Sequence, residues 1–250
     1  MWDDLCIIGQ LPSLESLDVV PHYLISTSEI KPKFKAAPLP STVFPSLRNF
    51  ALKGVIGASL FRWIWRLKPM VSGLLSAYIS LPDYGSNSKS LDANLAHGQL
   101  IHKNSPNLTV LTINISSTSR VGALQIACEL LSGVPVPTLV IKDWINGRVG
   151  DYPAAHSDSI FHHLRRLDLS TTFQPPNWAT LPKIAKAFPN LEYLCMNPST
   201  KWESYKPLDI GCISRTASQP IEIKLSVECT AYKETRDEEQ WAYIRNDITK

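Results

Sequence analysis

The stretch that decides the fold is Ser-Pro-Asn-Leu-Thr-Val-Leu-Thr-Ile at residues 105–113. Its apolar residues follow the order apolar-x-x-apolar-x-apolar, and a proline lies two residues before the first of them. The same phrase, proline included, recurs at residues 11–19, 44–52 and 188–196. A phrase that recurs at four places in one chain indicates an internal repeat, which has to be interpreted before any local structure.

Three further segments have the same apolar pattern without the leading proline, at residues 74–79, 136–141 and 164–169. The first apolar residue of the pattern therefore falls at positions 14, 47, 74, 108, 136, 164 and 191, and an eighth strand candidate occupies residues 221–225. Successive starts lie 27 to 34 residues apart. Such spacing predicts one structural unit per repeat, each stacked on its neighbours.

Within each repeat, the pattern predicts a short strand whose alternate side chains point into a core. Several of the connecting segments have apolar residues at helical spacing and few helix breakers, at residues 58–67, 91–101, 121–131 and 178–188. One strand with one helix cannot bury its apolar face alone, so stacking must complete the core. We therefore expect an α/β fold with a ladder of parallel strands.

This pattern resembles the leucine-rich repeat, in the longer form with helices that ribonuclease-inhibitor and F-box-associated repeats have. The resemblance covers about residues 11–225 and implies a single horseshoe-shaped solenoid domain over residues 1–250, with one parallel strand and one helix per repeat. It departs from the family at one position. The family has Asn or Cys eight residues after the first apolar anchor, and this chain has instead His22, Val55, Pro82, Ser116, Trp144, Thr172 and Ser199.

The Phe-Pro-x-Leu phrases look most like those in fungal and other eukaryotic F-box proteins. This likeness implies a non-enzymatic protein-interaction module, and within it the substrate-recognition part of an adaptor for a cullin-type ubiquitin ligase. No F-box pattern is visible, because the one early Leu-Pro, at residues 11–12, already belongs to a repeat. We expect any F-box to lie outside this chain.

A solenoid needs a cap at each end, since its terminal repeats lack a neighbour to cover their apolar surface. Residues 235–248 predict a C-terminal helical cap, with Trp241 and Ile244 on one helical face. At the other end, residues 1–10 are the candidate for an N-terminal cap.

Composition and charge exclude several function classes. The formal net charge is +3, and the basic residues are spread along the chain, so we expect no nucleic-acid partner. The most apolar window, residues 55–81, is interrupted by Arg62, Arg66 and Lys68, which predicts a core helix followed by a buried strand and no membrane span. Five widely spaced cysteines and no signal-peptide pattern favour a cytoplasmic or nuclear chain.

No motif for catalysis, phosphate binding or metal binding is found, so we expect no cofactor. His162 and His163 are adjacent and His97 and His102 are five apart, spacings that do not place a pair on one helical face, and we interpret the histidines as surface or turn residues. Cys195 falls on the outward face of its strand, where we expect passive exposure. The alternative function class is a small enzyme with a doubly wound α/β sheet.

The remaining candidate site is the concave face of the strand ladder, formed by the side chains between the apolar anchors. Leucine-rich-repeat solenoids bind along this face. Tyrosine and arginine, which are enriched at binding hot spots, occur on it at Tyr78, Tyr193 and Arg166. The residues that we predict to contact a protein partner are Asp18, Asn49, Lys53, Tyr78, Thr112, Asn114, Lys142, Arg166, Asp168, Tyr193 and Asn197.

Overall fold

The strands of the repeat phrases form one parallel sheet. The structure is a computed structural model, and it describes residues 2–20, 39–54, 58–81, 89–115, 128–143, 160–171, 181–196 and 222–225. Within these ranges the sheet has eight strands, and each strand pairs with the next one along the chain. The strands are β1 (Ser16–Val19), β2 (Asn49–Leu52), β3 (Ser76–Leu81), β4 (Val110–Ile115), β5 (Thr138–Asp143), β6 (Arg166–Thr171), β7 (Tyr193–Met196) and β8 (Glu222–Leu225).

The register of the sheet aligns equivalent positions of the repeats. The second apolar residues of the repeat phrases, which we call the second anchors, form one continuous row across the sheet. Leu111 lies beside Leu139, and Leu139 lies beside Leu167. The α/β class, the parallel ladder and the eight strand positions predicted from the sequence are confirmed. One irregularity interrupts the alignment, because the pairing of β5 with β6 shifts after Val140, so that Lys142 lies opposite Thr171.

Helices lie before the first strand and in several of the connections between strands. They are α1 (Trp2–Gly9), α2 (Ala58–Ile64), α3 (Lys68–Val71), α4 (Lys89–Asn104) and α5 (Leu181–Ala187), and residues 128–131 are also helical. All four predicted helices are found at least in part, although α4 is longer than expected. The predicted cap at residues 235–248 lies outside the described residues.

The N-terminal residues 1–10, predicted as a cap, contain helix α1. Leu5, Cys6 and Ile8 of this helix pack against the core. Its end is held closely, because the Phe44 backbone N–H donates a hydrogen bond to the Gly9 carbonyl at 2.6 Å. A Cβ atom at Gly9 would lie 2.8 Å from the Phe44 ring, so this contact requires glycine.

The core lies between one face of the sheet and the helices. Anchor residues of the strands form one cluster with apolar residues of the helices, including Ile101, Leu130 and Ile184. At the β2 end the core is aromatic: the Trp65 ring stacks on Phe61 at 5.1 Å between centroids and meets the edge of Phe50 at 5.8 Å. These contacts explain why the residue 55–81 window is apolar, and the predicted core helix and buried strand are confirmed there.

Two glycines allow helix α4 to pack directly on helical residues 128–131 and the turn that follows them. A Cβ atom at Gly98 would lie 2.4 Å from the Leu130 carbonyl oxygen, and one at Gly133 would lie 2.6 Å from the Gln99 backbone nitrogen. Backbone therefore meets backbone at this contact, which leaves no space for a side chain.

Within the described ranges, no helix has the length and apolar composition that crossing a membrane requires.

The interpretation of the histidines as surface or turn residues is wrong for His97. This residue lies in helix α4, is almost fully buried and meets the edge of the Phe61 ring, with 4.5 Å between ring centroids. Burial lowers the pKa of His97 to about 4, and the charge of Arg62 contributes to the decrease. His97 precedes the buried Ile101 by four residues, so helical spacing places both on the core side.

Candidate functional site

The candidate site is the sheet face opposite the core, which we call the front face. Because side chains alternate along a strand, the strand residues on either side of each second apolar residue of the phrase, such as Val110 and Thr112 around Leu111, point to it. The register arranges these residues in two rows across the sheet and a short third row, Ser80, Asn114 and Lys142, on β3 to β5. The first row is Ser16, Asn49, Ser76, Val110, Thr138, Arg166, Tyr193 and Glu222, and the second is Asp18, Ala51, Tyr78, Thr112, Val140, Asp168 and Cys195.

Side chains in the turns before the strands fix the repeats relative to one another. The Asn190 side-chain amide donates a hydrogen bond to the His162 carbonyl at 2.8 Å, and the Ser46 hydroxyl donates in the same way to the Pro12 carbonyl. Asn190 and Ser46 occupy the same position of the repeat phrase, immediately before the first anchor. The phrase therefore supplies both the core anchor and a polar link to the preceding repeat, which aligns the strands that carry the front face.

Near the β1 end, the front face carries a cluster of aromatic and charged side chains around Tyr78. The Lys53 ammonium group forms an ion pair with the Asp18 carboxylate and lies 6.0 Å from the centre of the Tyr78 ring. The Lys142 ammonium group lies 5.6 Å from the same ring. The hydrogen bond to Asp18 raises the pKa of Lys53, and the negative charge of Asp18 raises it further. The Tyr78 ring thus has two cations within 6.0 Å of its centre.

A second cluster lies toward the β8 end, around Tyr193. The Arg166 guanidinium carbon lies 4.2 Å from the centre of the Tyr193 ring, a close cation–π contact. Arg166 also approaches the Asp168 carboxylate at 4.0 Å. Desolvation raises the pKa of the Tyr193 hydroxyl, and the neighbouring Cys195 raises it further. The cluster thus combines tyrosine and arginine, two residue types that are enriched at protein-binding hot spots.

Between the two clusters the front face is less polar. Val110, Thr112, Thr138 and Val140 lie here on β4 and β5, and all four are half-buried. Tyr78 on β3 and Tyr193 on β7 are four strands apart, which corresponds to about 19 Å along the sheet from the usual spacing of strands. The two clusters are therefore separate, and they lie on either side of a strip that carries apolar and hydroxyl side chains.

Asn114 lies at the edge of this strip, between Ser80 and Lys142 in the register. Its side-chain nitrogen donates a weak hydrogen bond to the Ser80 hydroxyl at 3.5 Å. Its side-chain oxygen is buried and has no hydrogen-bond partner among the described residues. A buried acceptor without a donor is unfavourable, so this oxygen lowers the stability of the fold at this edge of the strip.

The expected exposure of Cys195 is wrong. The register does place Cys195 on the front face, opposite Asp168, but only 4% of the residue is exposed. Cysteine is small, and the larger side chains of Tyr193 and Asp168 beside it cover the thiol. Ala51 is covered in the same manner between Asp18 and Tyr78. Strand alternation predicts which face a side chain joins, but neighbouring side chains determine its exposure.

Most of the predicted partner-binding residues lie together on the front face. Asn49 donates a hydrogen bond to the Ser16 hydroxyl at 3.1 Å near the β1 edge, and Thr112 lies in the central strip. Asn197 lies outside the described residues. The prediction missed the specific pairings, of which Arg166 on Tyr193 and Lys142 on Tyr78 are the most important, because it placed residues on a face without assigning neighbours across strands.

The described residues contain no group of three or more side chains suited to hold a metal ion. His162 and His163 are exposed in the turn before β6, as expected for turn histidines.

The chain was compared with family models, with curated proteins and with solved structures, and it matches none of them.

Proposed function

We propose that the chain is a leucine-rich-repeat solenoid that binds another protein along the front face, and that this face is the concave side of the horseshoe. The observation that carries the proposal is the composition of the face: two clusters that pair a tyrosine with cations, on either side of a half-buried strip. Aromatic residues and arginine supply much of the binding energy in protein interfaces.

The strand order supports a repeat array over the alternative of a doubly wound enzyme. In doubly wound sheets the strand order reverses, and ligands bind in the crevice at that reversal. Here each strand pairs with the next one in the chain, from β1 to β8, without a reversal. A sequential order is what stacking of one repeat on the previous one produces.

The proposed solenoid has a shape that solution scattering measures. A compact domain of this length has a radius of gyration of about 18 Å from size scaling, and an extended, curved array exceeds it. We expect small-angle X-ray scattering to give a larger value together with an elongated distance distribution. A compact, symmetric distribution at about 18 Å would contradict the solenoid.

Protein binding at the front face is tested with a double variant and a matched control. Arg166→Ala with Tyr193→Ala removes the second cluster. Arg165→Ala with Glu192→Ala removes an exposed ion pair immediately before the same two strands. We expect a pull-down from extract of the source cells to recover one stoichiometric partner with the wild type and the control, and to lose it with the first variant. Retention by both variants would contradict the proposal.

The resemblance to F-box repeat regions extends this proposal to one class of pathway. We propose that the bound protein is a substrate delivered to a cullin-type ubiquitin ligase. This rests on the Phe-Pro-x-Leu phrases alone, and it is tested by immunoprecipitating the endogenous gene product and identifying its partners by mass spectrometry. A cullin among them would support the adaptor role, whereas a stable front-face complex without any ligase subunit would contradict it.

A further inference from the structure

The charges on the front face are not evenly paired. Lys53 forms an ion pair with Asp18, and Arg166 has Asp168 within 4.0 Å. Lys142 has no carboxylate within ion-pair distance among the described residues, and its ammonium group instead makes a cation–π contact with Tyr78. The described part of the front face therefore carries its unneutralised positive charge at Lys142, beside the ring that Lys53 also approaches.

The position of Lys142 fits a role in binding an anion. It belongs to β5, and its ammonium group reaches across β4 to lie 5.6 Å from the centre of the Tyr78 ring on β3. The stem is half-buried, so the side chain is partly ordered before any partner arrives. An ammonium group that is already ordered loses less conformational entropy when a carboxylate binds it.

The surroundings of Lys142 indicate a peptide as the source of the carboxylate. Asn114, directly beside it in the register, is half-buried, and its side-chain NH2 donates a weak hydrogen bond to the Ser80 hydroxyl at 3.5 Å, which leaves, among the described residues, a second N–H for a peptide carbonyl. The strip of Val110, Thr112, Thr138 and Val140 adjoins both residues and offers a half-buried surface to an aliphatic side chain. A bare inorganic anion would use neither of these features.

We propose that the partner presents an acidic segment to the front face. Lys142, beside Tyr78, binds an Asp or Glu carboxylate of this segment, and an aliphatic side chain of the segment lies on the strip between the two clusters. This inference rests on the proposed function and names the chemistry of its partner. Charge complementarity selects the segment, and the apolar strip distinguishes it from a purely polyanionic ligand.

Selection from a displayed library of random peptides on the whole chain tests the inference. We expect the selected peptides to be enriched in Asp or Glu next to Val, Ile or Leu. Lys142→Glu should weaken the best selected peptide by about tenfold, with a smaller loss for Lys142→Gln, because reversal adds repulsion to the lost attraction. Lys186→Glu is the matched control, since Lys186 is exposed on α5, and it should leave binding unchanged.

The outcomes separate this inference from the proposed function. Peptides without an acidic preference that are lost in the Arg166→Ala and Tyr193→Ala double variant would overturn the inference and leave the front face as the binding surface. Peptides that no front-face variant weakens would overturn both. A single-stranded oligonucleotide that binds as tightly as the best peptide, and competes with it, would overturn the acidic peptide in favour of a nucleic acid. Circular dichroism of each variant checks that it is folded.

Discussion

The two faces of the one sheet differ in how strictly they repeat. On the core face, equivalent positions hold the same kind of residue from strand to strand, such as Leu111, Leu139 and Leu167, all fully buried. On the front face, the row between them changes at every strand, from Asp18 through Tyr78 to Cys195. A row that packs against the same row of the neighbouring strands in the core requires uniform apolar residues, whereas a row outside the core does not.

The sharpest contrast between the faces is in stability. Leu167→Ala removes a fully buried side chain in the middle of the sheet and should lower the free energy of unfolding by about 2 to 5 kcal/mol. Thr138→Val, on the front face of the adjacent strand, keeps the β-branched shape and should change it by less than about 0.5 kcal/mol. Urea unfolding followed by circular dichroism measures both. Equal losses would contradict the assignment of these two residues to a buried and an outer face.

Lowering the pH should reduce the free energy of unfolding through His97, on the core side of the sheet. The folded pKa of about 4 lies below the ordinary value of 6.5, so the unfolded chain takes up a proton first as pH falls. Stability from this group is therefore complete above pH 6.5 and decreases by about 3 kcal/mol as the pH falls to 4. His97→Leu should remove this part of the pH dependence, while His102→Leu, exposed on the same helix, should retain it. Identical pH profiles for both variants would contradict the burial of His97.

The glycine contact on the core side gives a smaller effect. Gly133→Ala forces a Cβ atom against the backbone of α4, at 2.6 Å from the Gln99 nitrogen, and should cost about 1 to 3 kcal/mol. Gly73→Ala is the matched control, because its nearest neighbour is the flexible end of Arg48. Thermal unfolding of the two variants compares them, and a larger loss for Gly73→Ala would show that the helix does not pack directly on this segment.

The smallest effect on stability is expected on the front face. Asp18→Asn removes the exposed ion pair with Lys53 and should leave the unfolding midpoint unchanged within error, since exposed ion pairs add little. It should nevertheless lower the pKa of Lys53 toward its ordinary value, because Asp18 is what raises it. Nuclear magnetic resonance titration of the lysine side chains measures this shift. An unchanged Lys53 pKa would show that Asp18 does not form an ion pair with Lys53 in the Tyr78 cluster.

The contrast between the faces also explains how much of the molecule could be predicted from the sequence. The regular spacing of apolar residues such as Leu108 and Leu164 indicates directly which side chains are buried. The strands, their positions in each repeat and the two faces of the sheet were therefore predictable. Side-chain pairs between strands were not, because Lys142 reaches Tyr78 across an intervening strand and Cys195 is covered by its neighbours. The shifted pairing after Val140 is a local irregularity that a strictly periodic pattern does not indicate.

The central claim is that the front face, and not the helical side, contacts the partner. A photo-crosslinking amino acid placed at Thr112, in the middle of the front face, tests it most directly when compared with one at Lys186 on the exposed side of α5. In extract of the source cells, we expect ultraviolet light to join one partner protein to the chain labelled at position 112 and none to the chain labelled at 186. The same partner captured from position 186 and absent from position 112 would contradict the claim.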